Sequence, residues 1–158
     1  PFRGVLYGGL MLTADGPKVL EYNSRLGDPE TQVVLPRLKS DLLDIVLATL
    51  NGNLSRTPIE WDADACVGVV MASGGYPASY PTGFPIFGLD DVPEDVTIFH
   101  AGTRLDTNGC VVTSGGRVLT VVGKGPSLEA ARAQAYAGVA KVRFKNAHYR
   151  KDIARFDS

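Results

Sequence analysis

Lys18-Val19-Leu20-Glu21-Tyr22-Asn23-Ser24-Arg25-Leu26-Gly27-Asp28-Pro29-Glu30-Thr31-Gln32 is the stretch on which the reading of this chain depends. Taken as a strand in its first half, it alternates, with Glu21, Asn23 and Arg25 on one face and Leu20 and Tyr22 on the other. A carboxylate, an amide and a guanidinium in a row suit a hard divalent cation held beside a phosphate. Mg²⁺ takes oxygen ligands and is commonly bound by one or two protein groups plus the phosphates themselves. Arg25 is then free to fork onto phosphate oxygens that the metal leaves uncovered. Pro29 fits the first position of a helix, with Asp28 as its N-cap and Glu30 in its first turn. A bare Glu-x-Asn-x-Arg also fits a solvated strand on which Glu21 and Arg25 pair and Asp28 only caps. The added Gly-Asp-Pro-Glu favours the site.

Upstream, Gly4-Val5-Leu6-Tyr7-Gly8-Gly9-Leu10-Met11-Leu12-Thr13 is β-rich, and Asp15-Gly16 predicts a hairpin into the Val19 to Asn23 strand. Gly8 and Gly9 inside the first strand signal a bulge or a close backbone approach. Downstream, a helix is expected from Pro29 to about Leu38. A second is expected after Ser40 as N-cap, with Leu42, Leu43, Val46, Leu47 and Leu50 as a core-packing stripe and Asn51-Gly52 as its end. The polar, turn-rich stretch from Leu54 to Asp64 reads as a boundary, with Trp61 packing the linker.

The second half reads as short strands and one helix. Strands are expected over Ala65 to Ser73, Val96 to Leu105, Cys110 to Thr113 and Arg117 to Val122, with an Asn108-Gly109 turn. Ser127 caps a helix whose apolar positions are Leu128, Ala131, Ala135, Val139 and Val142, and Phe144 to Ile153 is expected to be extended.

The chain of 158 residues is 44% hydrophobic and 21% charged with a net charge of −1, which gives no electrostatic reason to expect nucleic acid or membrane as a partner. No apolar run approaches the ~18 residues of a spanning helix. Pro1-Phe2-Arg3-Gly4-Val5-Leu6-Tyr7 lacks the parts of a signal peptide, and a chain opening on strand-like sequence without Met is expected to be a fragment of a longer cytoplasmic protein. Cys66 and Cys110 are expected as buried or half-buried thiols rather than a disulfide or metal pair.

Glu21-Tyr22-Asn23-Ser24-Arg25-Leu26-Gly27-Asp28-Pro29-Glu30-Thr31-Gln32 resembles the metal-binding strand of the ATP-grasp ligases, and among them the phosphoribosylamine–glycine ligase family. The resemblance continues in Gly75-Tyr76-Pro77, Phe99-His100-Ala101-Gly102-Thr103, Gly115-Gly116-Arg117-Val118-Leu119 and Tyr149-Arg150-Lys151-Asp152-Ile153. It implies an α+β chain in which residues 1–60 are the C-terminal part of an ATP-grasp domain, with antiparallel strands and helices. Residues 61–158 are then a small mixed α/β C-terminal domain of short antiparallel strands and one helix. The resemblance implies Glu21 and Asn23 as ligands of Mg²⁺ or Mn²⁺, ATP as cosubstrate, and Arg25 as the catalytic group that stabilises the transferred phosphoryl. Asp28 and Glu30 are candidate substrate contacts, although helix capping also explains both. In the second half Gly115, Gly116 and Arg117 are candidate phosphate contacts, with a bulge or turn as the plainer account of the glycines. Lys151, beside Arg150, is a candidate for the ribose 5-phosphate. His100 and His148 read as structural histidines.

The reaction so implied joins glycine to 5-phosphoribosylamine in purine biosynthesis, with the rest of the enzyme lying upstream and the piece alone inactive. Where relatives commonly have glycine after Arg-Lys-Asp-Ile, this sequence has Ala154 and runs to Ser158. Two rival readings remain at this point. A biotin-dependent carboxylase component shares Glu-x-Asn-x-Arg but generally not Gly-Asp-Pro-Glu. A noncatalytic lobe with a swinging arm wants a lysine at a hairpin tip, which Asp15-Gly16 and Asn108-Gly109 lack.

Overall fold

The computed structural model describes residues 2–155, so the last residues up to Ser158 lie outside the described part. The chain divides after Asp62 into two compact units.

The first unit is built on a hairpin. β1 (Tyr7–Thr13) and β2 (Gly16–Asn23) pair antiparallel from Thr13 opposite Gly16 to Tyr7 opposite Asn23. The two-residue turn is Ala14-Asp15, and Gly16, at φ 97°, opens β2. The register slips where Gly9 faces Glu21 and Leu10 faces Val19, leaving Leu20 as the extra residue of a bulge. That is the irregularity the paired glycines signalled.

The helix expected from Pro29 to Leu38 is shorter and begins later. α1 spans Thr31–Val34 and passes into a 3₁₀ turn, Leu35–Arg37, that holds Pro36. Glu30 occupies the N-cap position in place of Asp28, because the Gly27 carbonyl already accepts from the Thr31 N–H (3.1 Å) and folds 28–30 into a turn. The next cap also moves by one residue. α2 (Leu42–Leu50) is capped by Asp41, whose extended backbone (ψ 124°) lets its carboxylate accept from the Leu43 N–H at 2.7 Å. Ser40 Oγ instead accepts from the Glu60 N–H at 2.8 Å. α2 ends as Asn51-Gly52 foretells. Gly52 sits at φ 72°, the Asn53 N–H reaches Ala48 O (2.8 Å) and the Gly52 N–H reaches Thr49 O (3.3 Å), the paired bonds of a Schellman end.

The leucine stripe of α2 is not core in this chain. Leu42, Leu43, Val46, Leu47 and Leu50 are all exposed, from 40% at Leu42 to 63% at Leu43. A helical period identifies an apolar face but not whether anything covers it. Trp61 is likewise exposed and is bridged to Leu38.

The buried core belongs to the second unit. β3 (Ala65–Ala72), β7 (Arg117–Gly125) and β4 (Val96–His100) form an antiparallel sheet in the order β3-β7-β4. Central β7 is buried on both faces, as its run Val118-Leu119-Thr120-Val121-Val122 requires. α3 (Leu128–Val139) lies on this sheet through Ala131, Ala135, Gly138 and Val139, with Ser127 Oγ accepting from the Ala130 N–H at 3.2 Å. Val142 and Phe144 close the core beyond the helix. The contact face of α3 is mostly alanine and glycine, so the backbones approach closely. A Cβ added at Gly123 would overlap Ala135 N and Ala131 O.

The strand expected over Val96 to Leu105 is two. β4 stops at His100; the Ala101 and Gly102 N–H groups turn back to Val118 O (3.0 Å) and Arg117 O (2.8 Å). β5 (Thr103–Leu105) then pairs with β6 (Val111–Thr113) as a separate ribbon. The stretch from Phe144 to Ile153 is no strand either. It touches the sheet through an isolated Ala72–His148 bridge and is otherwise turns and irregular chain, with Asn146 at φ 60°. Neither cysteine is in a disulfide, but Cys110, expected buried or half-buried, is exposed because it follows the Asn108-Gly109 turn. Among the described residues no helix is long and apolar enough to cross a membrane.

Ala154 adopts φ 53°, the left-handed region where a Cβ is costly. Ala154→Gly is expected to stabilise the second unit by about 0.5–1 kcal/mol net of glycine's extra freedom when unfolded, read as slower hydrogen exchange of β3 and β7 amides. Unchanged exchange would mean the turn carries no such cost. Gly123→Ala should act in the opposite sense, lowering stability by about 3 kcal/mol as α3 is pushed off the sheet.

Candidate metal and phosphate site

β2 brings Glu21 and Asn23 onto one face, and the side chains touch, Asn23 Nδ2 donating to Glu21 Oε1 at 3.1 Å. The Leu20 bulge precedes both, so their two-residue interval survives. Glu21 is exposed and Asn23 half-buried. Arg25 does not share their strand. The ladder runs out at the Tyr7–Asn23 pair, so Ser24 and Arg25 fall in a bend, where Arg25 Nη1 donates to Leu26 O at 2.8 Å. The predicted three-residue row is therefore a pair on a strand followed by an exposed arginine on the adjoining turn.

A carboxylate and an amide oxygen are hard donors of the kind Mg²⁺ accepts, and two protein groups suffice where phosphates complete the shell. Among the described residues no three or more His, Cys, Asp or Glu side chains gather as a metal cluster. The pair fits an ion that arrives with a nucleotide better than one caged by protein alone.

Asp28 and Glu30 both have partners inside the unit. Asp28 Oδ1 accepts from Gln32 Nε2 at 2.8 Å, and Glu30 Oε1 accepts from the Tyr7 hydroxyl at 2.9 Å. Tyr7 is the residue that sequence reading did not single out. Its only signal was its place at the start of the strand paired with β2. Its phenol is pushed above the ordinary value of 10.0, first by the hydrogen bond to Glu30, then by desolvation and by the negative charges of Glu30 and Glu21.

The remaining candidates belong to the second unit. Gly115 lies against Gly102, where an added Cβ would stand 3.0 Å from the Gly102 Cα, and at Gly116 an added Cβ would overlap the Tyr76 ring. Both glycines lie in the bend between β6 and β7, in keeping with the turn reading, and both are closely packed there. Tyr76 and Tyr80 stand beside them, ring centroids 6.1 Å apart, and Ser73 Oγ donates to Gly115 O at 2.8 Å. Arg117 begins β7 and is exposed, as is Lys151. The segment around Lys151 is pinned to α3, since Arg132 donates to Lys151 O and Ile153 O, each at 2.9 Å, and Tyr136 donates to Arg150 O at 2.8 Å. Arg150 forks onto Asp152 (3.0 and 2.7 Å), a bond that holds the Asp152 carboxyl below the usual range. His100 is exposed, and its Nδ1 meets Thr103 Oγ1 at 3.0 Å.

Because the Tyr7 phenol is raised, its hydrogen bond contributes in full below the ordinary tyrosine pKa and is lost as pH rises through the higher folded value. Titrating phenolate absorbance should therefore show one late tyrosine that disappears in Tyr7→Phe. An unchanged late component would assign it to another of the six tyrosines.

Comparison with known proteins identifies the family of the chain. The family model described as phosphoribosylglycinamide synthetase, C domain, matches residues 66–156, and that described as phosphoribosylglycinamide synthetase, ATP-grasp (A) domain, matches residues 1–31. A phosphoribosylamine–glycine ligase of Xylella fastidiosa is 53% identical over 97% of this chain and 35% of its own length. The trifunctional purine biosynthetic protein adenosine-3 of Gallus gallus is 55% identical over 97% of this chain and 15% of its own. The crystal structure of phosphoribosylamine–glycine ligase from Thermotoga maritima superposes with a TM-score of 0.78 at 41% identity, covering 94% of this chain and 36% of that one. The chain thus spans about a third of the single-function relatives' length. With a hairpin carrying Glu21 and Asn23 in the part matched to the A domain, and an antiparallel sheet under one helix in the part matched to the C domain, the chain belongs to the phosphoribosylglycinamide synthetase family.

Proposed function

We propose that this chain supplies the metal-binding strand and the C domain of a cytoplasmic ATP-dependent ligase that joins glycine to 5-phosphoribosylamine. The observation that carries the reading is the contact of Glu21 with Asn23 on one face of β2, inside the stretch matched to the ATP-grasp domain. In the reaction a glycine carboxylate oxygen attacks the γ-phosphorus of ATP and ADP leaves. The amine of phosphoribosylamine then attacks the acyl carbon of glycyl phosphate, losing a proton as phosphate departs. The products are glycinamide ribonucleotide, ADP and phosphate.

Glu21 and Asn23 would hold Mg²⁺ or Mn²⁺, which when bound neutralises charge on the nucleotide's phosphates. Arg25, on a turn with its side chain exposed, is suited to the charge that develops on the migrating phosphoryl group. Arg117 and Lys151 remain as cations for the ribose 5-phosphate. Gly115 and Gly116 serve by letting Gly102 and the Tyr76 ring pack closely.

The test uses a protein that carries this chain together with the remaining two thirds of its relatives' length. ADP release that needs both glycine and phosphoribosylamine is expected. Glu21→Ala and Asn23→Ala should each lower it by about 100-fold or more. Turnover and Mg²⁺ dependence that survive both changes would remove the metal assignment.

A further inference from the structure

The hairpin carries a second device beyond the cation pair and Arg25. Past Asn23 the chain has no ladder partner, and Ser24 to Glu30 is bend and turn. It is brought back to the hairpin where the Tyr7 hydroxyl donates to Glu30 Oε1 at 2.9 Å. Tyr7 is also the residue opposite Asn23, so the bond closes a short loop on the end of the metal strand.

The other oxygen of Glu30 has a close neighbour too. An added Cβ at Gly27 would stand 2.5 Å from Glu30 Oε2 and 3.1 Å from Glu30 Cβ, so the carboxylate lies against the bare Gly27 backbone. Gly27 is the one buried residue among the described residues of the first unit. The bond borders a cleft of about 130 Å³ that is otherwise lined by Val5, Leu6, Leu26, Thr31 and Val34. These walls are largely apolar but open to solvent, Val5, Leu6, Leu26 and Val34 all being exposed, so the bond is held by its geometry and the Gly27 contact. A glutamate seated between a phenol and a backbone is a poor recognition group for a substrate amine.

Resting on the ligase reading above, we infer that Tyr7 and Glu30 are positioning residues, whose bond, admitted by Gly27, locks the turn carrying Arg25 to the strand carrying Glu21 and Asn23. Neither touches substrate. With the latch closed, the bend after Asn23 has one course, and the metal pair and Arg25 keep a fixed spacing. With it open, the strand end frays from the Tyr7–Asn23 pair, and both cation affinity and phosphoryl transfer decline.

The experiment uses the longer protein and two readouts. Mn²⁺ binding in the presence of a nonhydrolysable ATP analogue is followed by electron paramagnetic resonance, and kcat and KM are measured separately. Tyr7→Phe, which keeps the ring, is expected to weaken Mn²⁺ binding and lower kcat by about tenfold each, with KM for glycine and phosphoribosylamine unchanged. Glu30→Gln keeps an acceptor for the phenol and should remain within about threefold of the parent protein, whereas Glu30→Ala should match Tyr7→Phe. The double variant Tyr7→Phe with Glu30→Ala should be no worse than either single change. Parent-like Mn²⁺ binding and kcat in Tyr7→Phe would overturn the inference. So would a Glu30→Gln as impaired as Glu30→Ala, because the charge itself would then be acting. A parent protein without glycine-dependent ADP release would instead sink the ligase reading, and the Mn²⁺ measurement would still decide the latch.

Discussion

The antiparallel ladder of β1 and β2 ends at the pair Tyr7–Asn23, and the site is organised by where it ends. Within the ladder, backbone bonds hold Glu21 and Asn23 at strand spacing, and one bulge at Leu20 lets Gly8 and Gly9 lie close to β2 without turning those side chains away. Beyond it, backbone pairing stops and side chains must do the holding. The Tyr7–Glu30 bond ties the following turn back to β1, and the Thr31 hydroxyl's bond to the Gly27 carbonyl and the Asp28–Gln32 bond hold it from within. Polar chemistry on a strand and a charged arginine on a turn are thus positioned by different physical means.

The second unit depends on a different constraint, the close approach of α3 to β7. A helix face of alanine and glycine can settle onto a strand whose own glycine leaves room, and the result is a dry core from Val67 to Phe144. Apolar area removed from water stabilises such a core at about 25 cal/mol per Å². The same closeness explains Gly115 and Gly116, which lie where backbone meets backbone and where a tyrosine ring meets backbone. A glycine pair next to an arginine resembles a phosphate cradle in one dimension; in three the pair is also a close packing joint.

Membership in the phosphoribosylglycinamide synthetase family joins the two units through one sequence, with the A-domain match over residues 1–31 and the C-domain match over 66–156. The strand carrying Glu21 and Asn23 falls in the first match and the packed core in the second. The proposed cation pair and the buried core therefore reside in different parts of the chain.

Much of this was legible from residues alone, for local reasons. Asp15-Gly16, Asn51-Gly52 and Ser127 act through backbone geometry within a few positions, so hairpin, helix end and helix cap could be read without a fold. The alternation that puts Glu21 beside Asn23 is equally local. What tertiary structure decided was everything that needs a distant partner. Arg25 leaves the strand because β1 offers nothing beyond Tyr7 to pair with. The leucines of α2 stay exposed because periodicity defines a face and not its cover. Val96 to Leu105 breaks because the Ala101 and Gly102 amides are claimed by β7. Tyr7 finds Glu30 only once the hairpin brings residues 23 apart in sequence within hydrogen-bond reach, and no spacing rule along the chain encodes that meeting.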